Sequence, residues 1–366
     1  MKKLKVIISG GGTGGHIFPA LAIAKAIEKQ ITHVDFLFIG AKDRMEMEKV
    51  PNEGYKIIGL PISGLQRGLD KRNLFFPFKL LYSIRKAKEI IKDFCPDLAI
   101  GTGGYASAPL IYVAAKRGVP CLIQEQNSYP GITNKILAKY VDKICVAYDD
   151  MHKFFPFKKI IFTGNPIRQD ILGIEKKKHL AQKLFHIDVS KLTVLVIGGS
   201  LGARTINNAI SENIEQLKNL GINLIWQTGL SYQYKSKEFI NQINVRGINA
   251  YTFIKDIHNA YAAADIIISR AGAIAISELC CVGKPIILVP SPNVAENHQY
   301  KNAQSLVNKN AALLVDDAQV NGKLVDTLKD LIDDEYLKAS LSSNIKKIAV
   351  TDAADRIANI ALNLVK

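Results

Sequence analysis

Three glycine-rich loops, each directly behind a short apolar stretch, constrain the fold of this 366-residue chain more than any other feature. They occupy residues 10–15, 101–104 and 198–202, and the apolar stretches before them are residues 6–8, 98–100 and 193–197. In a strand–loop–helix unit, glycines let the backbone approach a ligand, and the N–H groups of the helix's first turn attract an anion. One such loop is compatible with a tight turn that binds nothing, but three indicate a repeated phosphate-binding architecture.

Short apolar strands alternate with longer helical patterns along the whole chain. The strands are continuously apolar, which is typical of a parallel sheet covered by helices on both faces. We predict seven strands between Lys5 and Thr163 and six between Thr193 and Val315. The predicted fold class is therefore α/β, with two Rossmann-like, doubly wound parallel-sheet domains facing a cleft. The break at Gly164-Asn165-Pro166 predicts the boundary between the two, after residue 165.

The charge balance favours an acidic partner, because the formal net charge is +15 and the isoelectric point is near 9.4. Nucleic acid, an anionic membrane and a phosphorylated substrate all fit this balance, but no nucleic-acid motif accompanies it. The five cysteines lack C-x-x-C spacing and stand in apolar surroundings, which predicts buried reduced thiols rather than a zinc site. No Asp-x-Asp pair occurs, so we predict neither a metal nor a cofactor.

One segment in the first half combines large apolar side chains with basic ones. Between Arg67 and Lys92 there are eight basic residues and two acidic ones. A core helix with a solvated basic face would show a similar pattern, but Phe75, Phe76 and Phe78 cannot share one helical stripe. We therefore predict an interfacial element on anionic lipid. Its members are Leu74, Phe75, Phe76, Phe78, Lys79 and Arg85.

The second half contains two candidate ligand-binding stretches. Small residues after the strand at 265–268 let a backbone approach a ligand, and Glu278 follows early in the next helix. Glu278 is either a carboxylate favoured by the helix dipole or an acceptor for two ribose hydroxyls. Asn297 and Gln299 lie in a polar loop after a buried strand, where they either contact sugar hydroxyls or cap the next helix.

Taken together, these motifs resemble the MurG family of bacterial glycosyltransferases over essentially the whole chain. The residues that carry the resemblance lie at 10–16 with 18–19, 101–105, 125–127, 164–168, 198–203, 270–278 and 298–299. The resemblance implies a GT-B fold, with residues 345–366 returning to the first domain (1–165) and residues 166–344 forming the second. It also implies transfer of N-acetylglucosamine from UDP-GlcNAc to a lipid-linked muramyl-pentapeptide, at the cytoplasmic face of the membrane, where the protein is peripheral.

The resemblance also implies roles for individual residues. Arg168 and Ser200 would hold the donor diphosphate, and the main chain of Ile254 would contact uracil. Glu278 would bind the ribose, whereas Asn127 and Gln299 would hold the sugar hydroxyls. Further donor contacts are expected at Thr13, Gly14, Gly15, Ala273, Ile274, Ala275, Ile276 and Ser277. Contacts to the acceptor and its pyrophosphate are expected at Gly14, Gly15, His16, Gly103, Gly104 and Tyr105.

The implied reaction is inversion at the anomeric carbon, which requires a base for the acceptor hydroxyl. His16 is the first candidate, because an imidazole titrates near neutral pH. It could instead pack at the helix N-terminus or bind the acceptor's pyrophosphate. Glu125 is the second candidate, and its alternative role is that of a strand-end carboxylate bound by loop amides. Arg168 and loop amides at Ser200 and 273–276 would stabilise the leaving diphosphate.

Three other functions fit parts of the sequence. A UDP-GlcNAc 2-epimerase shares the architecture and the donor but needs no aromatic-basic segment. A nucleic-acid-binding protein is supported by the net charge alone. An NAD-dependent dehydrogenase would explain the first glycine loop but leaves the loop of the second half unexplained, and no acidic residue ends the strand at Ile39.

Overall fold

The computed structural model describes residues 3–62, 64, 75–199, 201–232 and 247–365. These residues form two compact units, one comprising Met1–Ile167 with Asp352–Lys366 and the other Arg168–Thr351. Among the predicted site residues, Ser200 and Leu74 lie outside the described residues, as does the basic stretch that contains Arg67.

The first unit contains, among its described residues, a seven-stranded parallel sheet in the order β3-β2-β1-β4-β5-β6-β7. Its strands are β1 (Leu4–Gly10), β2 (Val34–Ala41), β3 (Lys56–Leu60), β4 (Leu98–Gly103), β5 (Cys121–Glu125), β6 (Lys143–Val146) and β7 (Ile160–Phe162). The helices between them are α1 (Gly14–Gln30), α2 (Glu46–Asn52), α3 (Phe76–Phe94), α4 (Ser107–Lys116) and α5 (Ile132–Leu137). Val6, Ile7 and Ile8 are fully buried, with Ile7 in one core and its two neighbours in the other. The continuous apolarity of β1 thus reflects helices on both faces of the sheet.

The second unit repeats the design with a six-stranded parallel sheet, in the order β10-β9-β8-β11-β12-β13, within its described residues. Its strands are β8 (Thr193–Ile197), β9 (Asn223–Gln227), β10 (Ile248–Tyr251), β11 (Ile266–Ser269), β12 (Ile286–Leu288) and β13 (Leu313–Leu314). Its helices are α6 (Lys178–Leu184), α7 (Arg204–Glu212), α8 (Ile214–Asn219), α9 (Ile257–Ala263), α10 (Ala273–Val282), α11 (His298–Val307), α12 (Val320–Asp333) and α13 (Glu335–Ile348). The two sheets confirm the predicted α/β class with two Rossmann-like units.

The strand order reverses direction once in each sheet, between β1 and β4 in the first unit and between β8 and β11 in the second. Ligands of doubly wound sheets bind beyond the carboxyl ends of the strands at such a reversal. The glycine loops at 10–15 and 101–104 follow β1 and β4, and the loop at 198–202 follows β8. The fold therefore places the predicted loops where ligands of this architecture bind.

The last helix, α14 (Ala353–Asn363), belongs to the first unit, where it packs on α1. Ile357, Ala358 and Ala361 on one of its faces are fully buried in the core beneath α1. The chain returns to this unit at Asp352, later than the predicted residue 345. The reason is that Ile345 on α13 is fully buried in a core of the second unit. The first division likewise falls after Ile167, two residues beyond the predicted position.

One of the five cysteines departs from the predicted burial. Cys95 is exposed, whereas Cys121, Cys145 and Cys280 are buried and Cys281 is half-buried. Cys95 ends α3 in the left-handed conformation with φ of +50°, and it lies at the helix terminus rather than on its packed face. Within the described residues, no group of three or more His, Cys, Asp or Glu side chains could hold a metal ion.

Candidate active site

Two glycine loops of the first unit are in direct contact because β1 and β4 are neighbours in the sheet. Gly103 and Gly104 have φ of +100° and +85°, which L side chains rarely adopt. A Cβ at Gly103 would lie 2.8 Å from Nδ1 of His16, and one at Gly104 would overlap the carbonyl of Gly11. These positions require glycine because the second loop lies directly against the first.

The imidazole of His16 is fixed through one of its two nitrogens. Its Nδ1 is 2.9 Å from the carbonyl oxygen of Thr102 and 3.1 Å from Oε1 of Gln126. Both partners are acceptors, so Nδ1 carries the proton and Nε2 holds the lone pair. The amide nitrogen of Gln126 also donates to the Thr102 carbonyl, at 2.7 Å, which fixes the orientation of that side chain. Burial lowers the pKa of His16 below its ordinary value of 6.5, although its hydrogen bonds oppose this. A neutral imidazole with an available Nε2 is the form that a general base requires.

Glu125 is buried at the end of β5 and is surrounded by hydrogen-bond donors. Its Oε1 accepts from the main-chain and side-chain nitrogens of Asn127, at 3.0 and 3.2 Å. Its Oε2 accepts from the Gly131 amide at 3.2 Å and from Nδ2 of Asn134 at 2.8 Å. Burial raises the pKa of Glu125, and these donors oppose the rise. This geometry matches the loop-organising alternative for Glu125 more closely than the role of a base, and it engages the side chain of Asn127 in the same loop.

Two other predicted residues of the first unit, Tyr105 and Thr13, are both exposed. Tyr105 follows the second glycine loop, with about half of its side chain exposed and its ring against Gly64. Thr13 is the residue before α1 and has an extended backbone, and its carbonyl accepts the amide of His16. The amides of Gly14 and Gly15 belong to the first helical turn, where N–H groups have no partner within the helix. They are therefore suited to an anion.

In the second unit, Arg168 and Glu278 are paired with each other. Nε of Arg168 is 2.9 Å from Oε1 of Glu278, and Nη2 is 3.2 Å from Oε2. The Glu278 side chain is 4% exposed and the Arg168 side chain is 52% exposed. The Tyr261 hydroxyl lies 3.4 Å from Glu278 Oε2. Burial raises the pKa of Glu278, whereas Arg168 opposes the rise. Arginine has five N–H donors, so the guanidinium can hold Glu278 and still donate to a phosphate.

The start of α10 offers fewer amides than the sequence predicts. The Ile276 amide donates to the Gly272 carbonyl at 2.9 Å, and its side chain lies in the hydrophobic core. The Ser277 hydroxyl donates to the Ala273 carbonyl at 3.0 Å. Direct contact of the Ile276 amide with a diphosphate is therefore excluded in this conformation, because the helix has already used it. The amides of Ala273, Ile274 and Ala275 occupy the first helical turn, where they lack helical acceptors.

Gln227 connects two of the predicted donor loops, and the sequence patterns do not point to it. Its Nε2 donates to the Gly199 carbonyl at 3.1 Å, and its Oε1 accepts the Ile254 amide at 2.9 Å. The Ile254 amide is thus engaged, which leaves the carbonyl of this residue as its main-chain group for a uracil. A polar residue directly after three apolar ones, at the carboxyl end of β9, was the available signal.

Arg270 and Gln299 also hold loops at the ends of strands in this unit. Arg270 donates to the Val289 carbonyl at 3.0 Å and to Oγ1 of Thr205 at 2.8 Å, and it forms an ion pair with Asp317. Oε1 of Gln299 accepts the Ser291 amide at 2.9 Å. Arg270 therefore joins the start of α7 to the segments that follow β12 and β13, and Gln299 fixes the loop before α11.

Comparison with known proteins gives the chain its family. Residues 6–146 match the glycosyltransferase family 28 N-terminal domain, and residues 193–357 match the glycosyltransferase family 28 C-terminal domain. A relative from Cytophaga hutchinsonii is 52% identical over 364 residues, covering 100% of this chain and 98% of its own length. A relative from Parabacteroides distasonis is 48% identical over 365 residues, covering 100% and 99%. Both are named UDP-N-acetylglucosamine–N-acetylmuramyl-(pentapeptide) pyrophosphoryl-undecaprenol N-acetylglucosamine transferase. The chain belongs to the MurG family of glycosyltransferases.

Solved structures agree with this membership of the MurG family. MurG of Acinetobacter baumannii is 25% identical, with a TM-score of 0.79 over 98% of this chain and 99% of its own. A UDP-GlcNAc 2-epimerase from Neisseria meningitidis, solved with UDP-GlcNAc, reaches a TM-score of 0.67 at 15% identity, over 99% and 100% of the two chains. That similarity shows a shared fold alone. The resemblance to the MurG family that the sequence motifs indicated is confirmed.

Proposed function

We propose that this chain transfers N-acetylglucosamine from UDP-GlcNAc to the C4 hydroxyl of undecaprenyl-pyrophosphoryl-MurNAc-pentapeptide in peptidoglycan synthesis. The observation that carries the proposal is full-length identity of 48–52% to relatives that are named for this transfer. The residues of the predicted donor loops and of the predicted acceptor loops are compatible with this transfer. The epimerase alternative is supported only by the shared fold, at 15% identity.

The proposed reaction inverts the anomeric carbon in one displacement. The C4 oxygen of the acceptor attacks the anomeric carbon while the bond to the diphosphate oxygen breaks, and UDP leaves with the electron pair. Nε2 of His16 takes the hydroxyl proton, because Nδ1 already donates to Thr102. Charge that develops on the diphosphate is stabilised by Arg168 and by the first-turn amides of α10.

The proposed substrate contacts come from charged side chains, polar side chains and main-chain groups. Glu278 accepts the ribose hydroxyls, and the guanidinium that neutralises it donates its remaining N–H groups to the diphosphate. Ile254 contacts uracil through its main chain, Ser200 contributes to the diphosphate site, and Asn127 and Gln299 hold the sugar. Gly103, Gly104 and Tyr105, with Gly14 and Gly15, receive the acceptor's pyrophosphate.

An exposed aromatic-basic surface on the first unit supports contact with an anionic membrane at its cytoplasmic face. Phe75 is 63% exposed and Phe78 is 72% exposed, and Lys79 and Arg85 are exposed on the same helix. Phe76 is half-buried at the start of α3. No helix among the described residues has the length and apolarity needed to span a bilayer. The surface fits a peripheral contact in which aromatic rings enter the headgroup region and basic residues meet anionic lipid.

The proposal is tested by supplying UDP-GlcNAc together with the lipid-linked acceptor or with an analogue lacking the C4 hydroxyl. UDP should be released with the natural acceptor and not with the deoxy analogue, because that oxygen is the nucleophile. Equal UDP release with the two acceptors would contradict transfer to C4. Formation of UDP-ManNAc without an acceptor would support the epimerase.

A further inference from the structure

A buried carboxylate lies directly beneath the first glycine loop. Glu46, the first residue of α2, is fully buried. Both of its carboxylate oxygens are 3.1 Å from the Gly12 amide nitrogen, and Oε1 also accepts the Ala41 amide at 2.9 Å. Glu46 therefore joins the loop after β1 to the end of β2.

Two glycines leave the space that this side chain fills. A Cβ at Gly11 would lie 2.7 Å from Cδ of Glu46, and one at Gly40 would overlap its Cγ. Gly12, which has φ of +87°, turns its amide toward the carboxylate. The glycines at 11 and 40 are thus explained by the close approach of Glu46, and not by a ligand.

This contact changes what the first loop can bind. In nucleotide-binding glycine loops, the loop amides point at a phosphate. Here the Gly12 amide points at an internal anion of the same charge sign, so a phosphate on this side would meet both a filled space and electrostatic repulsion. The amides of Gly14 and Gly15 and the ring of His16 lie beyond the segment that Glu46 holds.

We propose that Glu46 is a positioning residue: its carboxylate stands in for a phosphate on the inner side of the first glycine loop. It thereby closes the inner side of this loop to a nucleotide phosphate and fixes Gly11 and Gly12 so that His16 meets the acceptor. The inference rests on the proposed function for the identity of the acceptor. The inference assigns different ligands to the glycine loops of the two units, because the Glu46 carboxylate is already bound to the loop of the first unit.

Glu46→Gln and Glu46→Asp test the proposal, with Glu48→Gln on the same helix as the matched control. The Glu48 side chain is 70% exposed, and its ion pair is with neighbouring Lys49. Glu46→Gln places an N–H group against loop amides, and Glu46→Asp is one methylene too short to reach them. Each should lower kcat/KM for the acceptor about tenfold or more, the effect of losing one charge-assisted hydrogen bond. The Kd for UDP should stay within about twofold, with one UDP per chain by calorimetry.

Three results would overturn the inference while leaving the proposed function intact. The first is that both Glu46 variants show the same acceptor kinetics as Glu48→Gln. The second is that a lower melting temperature is the only change in the Glu46 variants. The third is that the wild-type chain binds two UDP molecules. If Glu46→Gln does not fold by circular dichroism, Glu46→Asp decides the kinetic test. Failure of the wild-type enzyme to use the lipid acceptor would instead contradict the proposed function.

Discussion

The Arg168 guanidinium and the buried Glu278 carboxylate form a two-pronged ion pair, with N–O distances of 2.9 and 3.2 Å. The sequence resemblance implied separate ligands for them, a diphosphate and a ribose. The structure shows that each residue is also a partner of the other. Changes at one are therefore expected to alter the electrostatics of the other.

Replacement of Arg168 by Ala should destabilise the second unit in a pH-dependent way. Burial raises the pKa of Glu278, and without Arg168 nothing of equal strength opposes the rise. The folded variant then binds a proton that the unfolded chain releases, so its stability falls as pH rises. Because Arg168 is half-exposed, we expect a loss of about 1–3 kcal/mol at pH 8 and a smaller loss at pH 5. Urea unfolding at both values measures it, with the surface-pair variant Lys218→Ala as control. An equal loss at both pH values would contradict the account.

Replacement of His16 by Ala should reduce turnover without reducing UDP affinity. Loss of a general base typically costs about 10²–10⁴-fold in rate, whereas the proposed UDP site lies in the other unit. The wild-type acid limb of kcat/KM should have its midpoint below 6.5, because burial lowers the pKa of His16 and the neutral form persists to lower pH. Steady-state kinetics between pH 5 and 8 measure the loss of turnover in the variant and the midpoint of the acid limb in the wild type. The control is His152→Ala, an exposed histidine of the same unit. Full turnover in the His16 variant would eliminate this residue as the base.

Replacement of Gln227 by Ala should weaken UDP binding although no direct contact of this side chain with UDP is proposed. The variant loses the hydrogen bonds to the Ile254 amide and the Gly199 carbonyl, which hold two donor loops. One or two neutral hydrogen bonds contribute about 1–2 kcal/mol, so Kd should rise about five- to thirtyfold. Calorimetric titration with UDP gives the value. Gln216→Ala, on the exposed face of α8, should bind UDP like the wild type. Unchanged affinity in the Gln227 variant would show that the loops keep their positions without it.

Replacement of both Phe75 and Phe78 by Ser should reduce binding to anionic vesicles. The two exposed rings together are expected to contribute about 2–3 kcal/mol on entering the headgroup region, which corresponds to about 30- to 150-fold in partitioning. Turnover of a water-soluble acceptor should stay at the wild-type level. Vesicle co-sedimentation measures the partitioning. The matched control is Tyr336→Ser, which removes an aromatic side chain that is 92% exposed on the second unit. Equal binding of the double variant and the control would place the membrane contact elsewhere.

The fold followed from the sequence because its signals are local and repeated. Buried parallel strands are continuously apolar, and a glycine loop ends β1, β4 and β8. The position of the final helix required the family resemblance, since the pattern of α14 does not say which sheet it covers. The return to the first unit was predicted at Ile345 because an apolar side chain fits the core of either unit by type alone. In the structure this side chain belongs to the second unit.

The sequence identifies the site residues that lie in recognisable motifs. It does not identify those whose role depends on a contact with a distant part of the chain. His16 and Arg168 lie in recognisable motifs, as do Thr102 and Glu278, but the pairing of each with a partner 86 and 110 residues away along the chain was not evident from the sequence. Glu46 and Gln227 act through main-chain amides, so their importance depends on loop conformations rather than on neighbouring residue types. Such partners can be identified only once the strand order is known.

The most direct test of the account is the fate of the sugar when the enzyme is mixed in excess with UDP-GlcNAc labelled in its GlcNAc ring and the lipid-linked muramyl-pentapeptide. The account predicts that the label moves to a disaccharide-lipid in step with UDP release, and that no label moves when the acceptor is omitted. Label recovered as UDP-ManNAc or as free sugar, with none in the lipid fraction, would contradict it.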